Sequence, residues 1–174
     1  MPEPIEVTNM KNNCSNKDYV LKAVSSQGSL LDFASEELKD DKQIVLAAIE
    51  NNPEALEFAS DNLKEDREVV YNSVSKVGWT YCYAKESLLD DKELLLSGLK
   101  IDGQILYYAN KKMRDDKDVV IEAVKNKGII VKYASERLKE DKDIALAALG
   151  QNKKCYEFLG NNIKNEKDIQ KFIE

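Results

Sequence analysis

One step in the sequence returns at a fixed interval and leaves few folds open to the chain. Asp41-Lys42, Asp66-Arg67, Asp91-Lys92, Asp116-Lys117 and Asp141-Lys142 lie 25 residues apart, with weaker copies at Asn16-Lys17 and Glu166-Lys167. No insertion or deletion breaks this register. A short fixed period is the mark of a solenoid, where each repeat buries its apolar face only against its neighbours. The spacing predicts an all-α solenoid of six 25-residue repeats over residues 16–165. A truncated capping repeat follows over 166–174, and residues 1–15 are left as a tail or cap.

Counting each Asp as position 1, the columns acquire physical roles. Positions 4, 5, 8 and 9 are apolar or small in nearly every copy, as in Ile44, Val45, Ala48 and Ile49, and position 6 adds a further apolar column. Such a wide apolar arc at helical spacing predicts a long helix of about 10–12 residues, stacked between two neighbours. Position 8 is only Ala, Ser or Gly, which suits close helix approach. The Asp is a good N-cap, and the acidic residue at position 3 meets the positive end of the helix dipole. Gly28, Gly78, Gly103 and Gly128 at position 13 suggest a left-handed helix end, and Pro53 replaces Gly once.

The rest of each repeat is shorter. Position 18 is always aromatic (Phe33, Phe58, Tyr83, Tyr108, Tyr133, Phe158), and position 19 is Ala except at Leu159. This pattern predicts a second short helix over positions 14–20 followed by a turn or 3₁₀ segment. One ring per repeat at one height predicts an aromatic spine along the core, rather than a stacking platform for bases.

Stretches such as "FASEELKDDKQIVLAAI" and "YASERLKEDKDIALAAL" resemble the domain of unknown function 4116 repeats, and the likeness covers almost the whole chain after residue 15. The resemblance implies a tandem helical array and brings no catalytic residues with it. Departures concentrate at Ala84-Lys85-Glu86 and Ala109-Asn110-Lys111.

Composition narrows the function. The chain has no histidine, which removes Ser-His-Asp and Cys-His nucleophiles, His-ligated metals and imidazole bases. Its three cysteines, Cys14, Cys82 and Cys155, are far apart with no CxxC pair, which fits reduced thiols. A net charge of −6 disfavours general nucleic-acid binding. No apolar run approaches a membrane span, and the start lacks the pattern of a secretion signal, which points to a cytoplasmic protein. The Asp-Asp-Lys clusters could form a ladder of cation sites, but each contains a basic residue and the positions suit helix capping and local ion pairs. No metal, cofactor or catalytic residue is expected.

The departures from the repeat mark the candidate surface. Positions 14 and 17 are mostly polar, yet the central repeats carry Trp79 and Cys82, then Tyr107, with Val77 and Ile101 near the same junctions. Aromatic anchors in a polar rim are what protein interfaces use; the alternative is that Trp79 folds down over the core. The leading expectation is a non-enzymatic scaffold that presents an acidic surface to a protein with a basic segment. The alternative is an effector or inhibitor that blocks a foreign or host enzyme, its carboxylate rows mimicking nucleic acid.

Overall fold

Each repeat is built from three pieces that the sequence punctuates. The computed structural model describes residues 4–173, and these contain no strand. The long helices are Lys17–Ser26, Lys42–Asn51, Arg67–Val74, Lys92–Leu99, Lys117–Asn126 and Lys142–Gln151. Each is followed by a six-residue 3₁₀ helix: Gly28–Phe33, Pro53–Phe58, Gly78–Tyr83, Gly103–Tyr108, Gly128–Tyr133 and Lys153–Phe158. A short helical turn, such as Glu36–Lys39 or Lys111–Arg114, closes the repeat. The chain is an all-α helical repeat solenoid. It divides into two compact units, Met1–Leu88 and Leu89–Glu174, each holding three repeats.

The long helices start as their sequences direct. Asp41 Oδ1 accepts from Gln43 N at 3.0 Å and Ile44 N at 3.2 Å, and Asn16, Asp66, Asp91, Asp116 and Asp141 cap their helices in the same way. Such a cap satisfies amides that the helix leaves without partners. Positions 4, 5, 8 and 9 are buried almost throughout, whereas position 6 is only half-buried or, at Tyr71, exposed.

The second element is the expected short helix, wound as a 3₁₀ helix over positions 13–18. Positions 13, 16 and 19, such as Gly28, Leu31 and Ala34, are buried in most repeats, and their spacing of three puts them on one face of a 3₁₀ helix. Position 15 is also buried in every repeat: Leu30, Ala55, Thr80, Ile105, Ile130 and Cys155. With positions 15 and 16 filling the interior, no room remains there for the ring at position 18.

The glycines at position 13 also have a different reason from the one expected. No described residue has a positive φ. A Cβ on Gly103 would come within 2.5 Å of Ala123 O, and one on Gly128 within 2.7 Å of Ala148 O; Gly28 faces Ala48 O in the same way. Glycine is required because the position-8 carbonyl of the next long helix presses against it. The next repeat then caps the junction. Gly28 N donates to Asn51 Oδ1 at 2.7 Å, and Gly103 N to Asn126 Oδ1 at 2.9 Å, while Asn51 Nδ2 donates to the carbonyls of Ser25 and Ser26. Pro53 has no N–H, and the residue in the Asn place opposite it is Lys76, which bonds Glu50 instead.

Three further ladders join successive repeats within each unit. Position 20 donates its N–H to the position-24 carbonyl one repeat back: Ser60 to Lys39 at 3.0 Å, Lys85 to Lys64 at 3.2 Å, Ser135 to Arg114 at 2.9 Å, and Gly160 to Lys139 at 3.0 Å. The position-2 lysine reaches the next N-cap, as in Lys17–Asp41 at 2.6 Å, Lys42–Asp66 at 2.8 Å, Lys92–Asp116 at 2.8 Å and Lys117–Asp141 at 2.9 Å. The position-25 carboxylate binds the next repeat's positions 20 and 22: Asp40 accepts from Ser60 and Asn62, and Asp115 from Ser135 and Arg137. Most of these side-chain bonds are exposed and contribute no more than about 1 kcal/mol net each, so the ladders act mainly by fixing the register.

The ends of the array are covered. Helix Ile5–Asn12 lies against the first 3₁₀ helix with Met10 fully buried, and Ser35 N continues the backbone ladder to Cys14 O at 2.9 Å. At the far end Ile169 is buried while Gln170 donates to Tyr156 Oη at 3.2 Å. No helix among the described residues is long and apolar enough to cross a membrane.

Candidate interaction surface

The 3₁₀ helices carry their variable side chains at positions 14, 17 and 18, and this edge holds the exposed chemistry of the protein. The ring at position 18 is half-buried in five repeats and exposed at Tyr108, so the expected core spine is instead a row along the rim. The carbonyl at position 17, near the end of the 3₁₀ helix, is met by the cation at position 24 in several repeats: Lys64 donates to Glu57 O at 2.7 Å, Arg114 to Tyr107 O at 2.6 Å and Lys164 to Glu157 O at 3.2 Å. Burial lowers the Lys64 pKa despite nearby carboxylates.

In the first unit this edge is acidic and then aromatic. Asp32, Glu54 and Glu57 are exposed, and none has a cation at ion-pair distance among the described residues. Trp79 is half-buried, its ring edge-on to Tyr83 at 5.5 Å with an interplanar angle of 62°. Burial and then a hydrogen bond to Glu57 push the Tyr83 hydroxyl well above the ordinary phenol range. Burial, helped by Glu57, also pushes the Cys82 thiol up, away from the thiolate that nucleophilic chemistry needs. Val77 is half-buried at the start of the same 3₁₀ helix. The indole of Trp79 lies against Tyr83 and keeps part of its surface open.

In the second unit the same edge is aromatic and basic. Tyr107 is 53% exposed, Tyr108 47% and Ile101 45%. The Tyr107 ring lies 5.1 Å from Tyr108 at 78° and 5.1 Å from Tyr133 at 62°, both edge-to-face. Lys132 Nζ sits 4.8 Å from the Tyr133 ring centre. Tyr107, Tyr108, Tyr133, Lys127, Ile129 and Lys132 line a cleft of about 360 Å³.

The five residues singled out by sequence are thus divided. Val77, Trp79 and Cys82 belong to the first unit, and Ile101 and Tyr107 to the second. Sequence reasoning missed Tyr108 and Tyr133, which it assigned to the core, and Lys127, Ile129 and Lys132. The signal for Ile129 was available, since it is a branched apolar residue at position 14, elsewhere mostly polar.

The carboxylate clusters prove to be joints. The pKa of Asp41 lies below the ordinary carboxyl value, chiefly through the hydrogen bond from Lys17. For Asp116 burial acts upward, but Lys92 and the amides of Val119 and Asp118 together bring the value below ordinary. No group of three or more metal-ligating side chains comes together among the described residues. The net charge is unevenly placed. Residues 1–88 hold 16 Asp and Glu against 9 Lys and Arg, a formal −7, and residues 89–174 hold 16 against 17, a formal +1.

A family model described as a domain of unknown function (DUF4116) matches residues 16–64, 66–114 and 116–164. Each match spans two of the 25-residue repeats. No curated protein and no solved structure matches the chain.

Proposed function

The chain belongs to the DUF4116 family, and we propose that it is a non-enzymatic protein-protein interaction module whose first unit engages a basic segment of another protein. The observation that carries this reading is the concentration of the negative charge in residues 1–88, with Asp32, Glu54 and Glu57 exposed along one edge. Unpaired carboxylates on a rigid repeat surface attract a cationic segment at long range and speed its docking. The non-enzymatic part rests on the lack of histidine and on the raised pKa values of Cys82 and Cys155. The alternative of nucleic-acid mimicry loses much of its array, because the position-1 and position-3 carboxylates are bonded to lysines, as in Lys92 with Asp116 and Asp118.

The test is anisotropy of a fluorescein-labelled peptide of about nine residues, rich in Arg and Lys, against the full chain. Binding is expected, weakening at least about tenfold as salt rises from roughly 50 to 200 mM. The double substitution Asp32→Lys with Glu54→Lys should weaken it further. Binding indifferent to both salt and these substitutions would overturn the reading.

A further inference from the structure

The tyrosine cleft of the second unit has a polarity opposite to that of the first unit's edge. Lys127 and Lys132 on its rim have no carboxylate partner among the described residues, and Lys132 only overlies Tyr133. The ladder lysines Lys92 and Lys117, by contrast, each hold two carboxylates within 2.9 Å. Register therefore accounts for the ladder lysines and not for the rim pair. Tyr107 and Tyr108 are likewise exposed well beyond what core packing needs.

The size and ring geometry restrict the occupant. A cleft of about 360 Å³ accommodates one large side chain with its flanking backbone, near the lower end of ligand pockets. Its rings stand at 62° and 78° to one another, so they present no parallel platform for successive bases. The unit's formal +1 gives no long cationic track for a phosphate backbone. Two unpaired ammonium groups beside aromatic walls instead match carboxylates flanking an apolar side chain.

We propose that this cleft docks an extended acidic segment of a partner protein, with one aliphatic or aromatic side chain against Tyr107 and Tyr133 and carboxylates at Lys127 and Lys132. The proposal deepens the reading of the chain as an interaction module but uses a different surface from the first-unit edge.

Two labelled peptides test it on the full chain by anisotropy, each about nine residues of Glu and Ser, one with a central Leu and one without. The Leu peptide is expected to bind more tightly, with salt-dependent affinity. Tyr107→Ser and Lys132→Glu should each weaken it by at least about tenfold, with Lys127→Glu as an independent variant should either fail to fold by circular dichroism. The Arg- and Lys-rich peptide should bind the Tyr107→Ser chain as before, so the two surfaces fail or stand separately. Absence of binding by the Leu peptide, or binding untouched by all three variants, would overturn the proposal. It would also be overturned by tighter binding of an oligothymidylate of about 15 nucleotides that Tyr107→Ser removes. Self-association in sedimentation that Lys132→Glu abolishes would assign the cleft to a second copy and overturn it as well.

Discussion

The two units are made from the same three repeats' worth of scaffold, yet their open edges are chemically opposed. The first carries Asp32, Glu54 and Glu57, and its tryptophan lies down against Tyr83. The second carries Lys127 and Lys132 around three tyrosines. Meanwhile the caps, the backbone ladder and the lysine ladder are shared. Scaffold columns and surface columns therefore vary independently, because the former are tied to a neighbouring repeat and the latter to solvent or a partner.

If the scaffolds are equivalent, matching substitutions should cost alike. The largest effect is expected at position 16, where Leu56→Ala in the first unit and Leu106→Ala in the second should each cost about 2–5 kcal/mol in chemical denaturation. A loss in one unit only would break the equivalence. Next come Gly28→Ala and Gly103→Ala, expected to cost about 1–3 kcal/mol each through the clash with the facing carbonyl. Were these glycines merely flexible, alanine would instead be neutral or stabilising.

The caps come third. Asp41→Ala and Asp116→Ala should each cost about 1 kcal/mol near neutral pH. Both carboxyls are held below their ordinary value, so their contribution is complete above about pH 4 and is lost as pH falls through the lowered folded values. Denaturation of each variant and the parent between neutral and strongly acidic pH should show the penalty shrinking as acid is added. A penalty constant with pH would mean that lost packing, not the charged cap, is responsible.

The smallest effects sharpen the contrast between the edges. Trp79→Ser should cost roughly 1 kcal/mol, because its ring covers Tyr83, and Tyr107→Ser less than about 0.5 kcal/mol, because its ring is half in solvent. Melting midpoints of the two variants measured side by side decide this order.

Much of the scaffold was legible in the sequence, for reasons visible in particular columns. Asp41 and its equivalents announce helix starts because a side chain can cap only its own local amides, so neighbours in sequence are neighbours in space. The ladders were hidden because Lys42 and Asp66 become partners only once the repeats are stacked in register. Position 18 was misassigned because an invariant aromatic column resembles a core. The interior was instead marked by the spacing of three through Gly28, Leu31 and Ala34, which is the 3₁₀ period rather than the α period. The candidate surface was half legible: Tyr107 stood out against a polar column, whereas Tyr108 and Tyr133 were hidden inside a conforming one.

The pairing of Gly28 with Asn51, and of Pro53 with Lys76, bears on how an array like this can change length. Excising residues 41–65 would leave Lys17 facing Asp66 and the Lys39 carbonyl facing Lys85 N, so both ladders would close again without a gap. Loss of one residue fewer would misplace every later donor and acceptor in the unit. Even the exact excision has one flaw, since Gly28 N would then meet Lys76 in place of the Asn51 acceptor. A repeat is therefore removed without loss only where the glycine junction keeps a facing asparagine, as Gly28 has in Asn51 and Gly103 in Asn126.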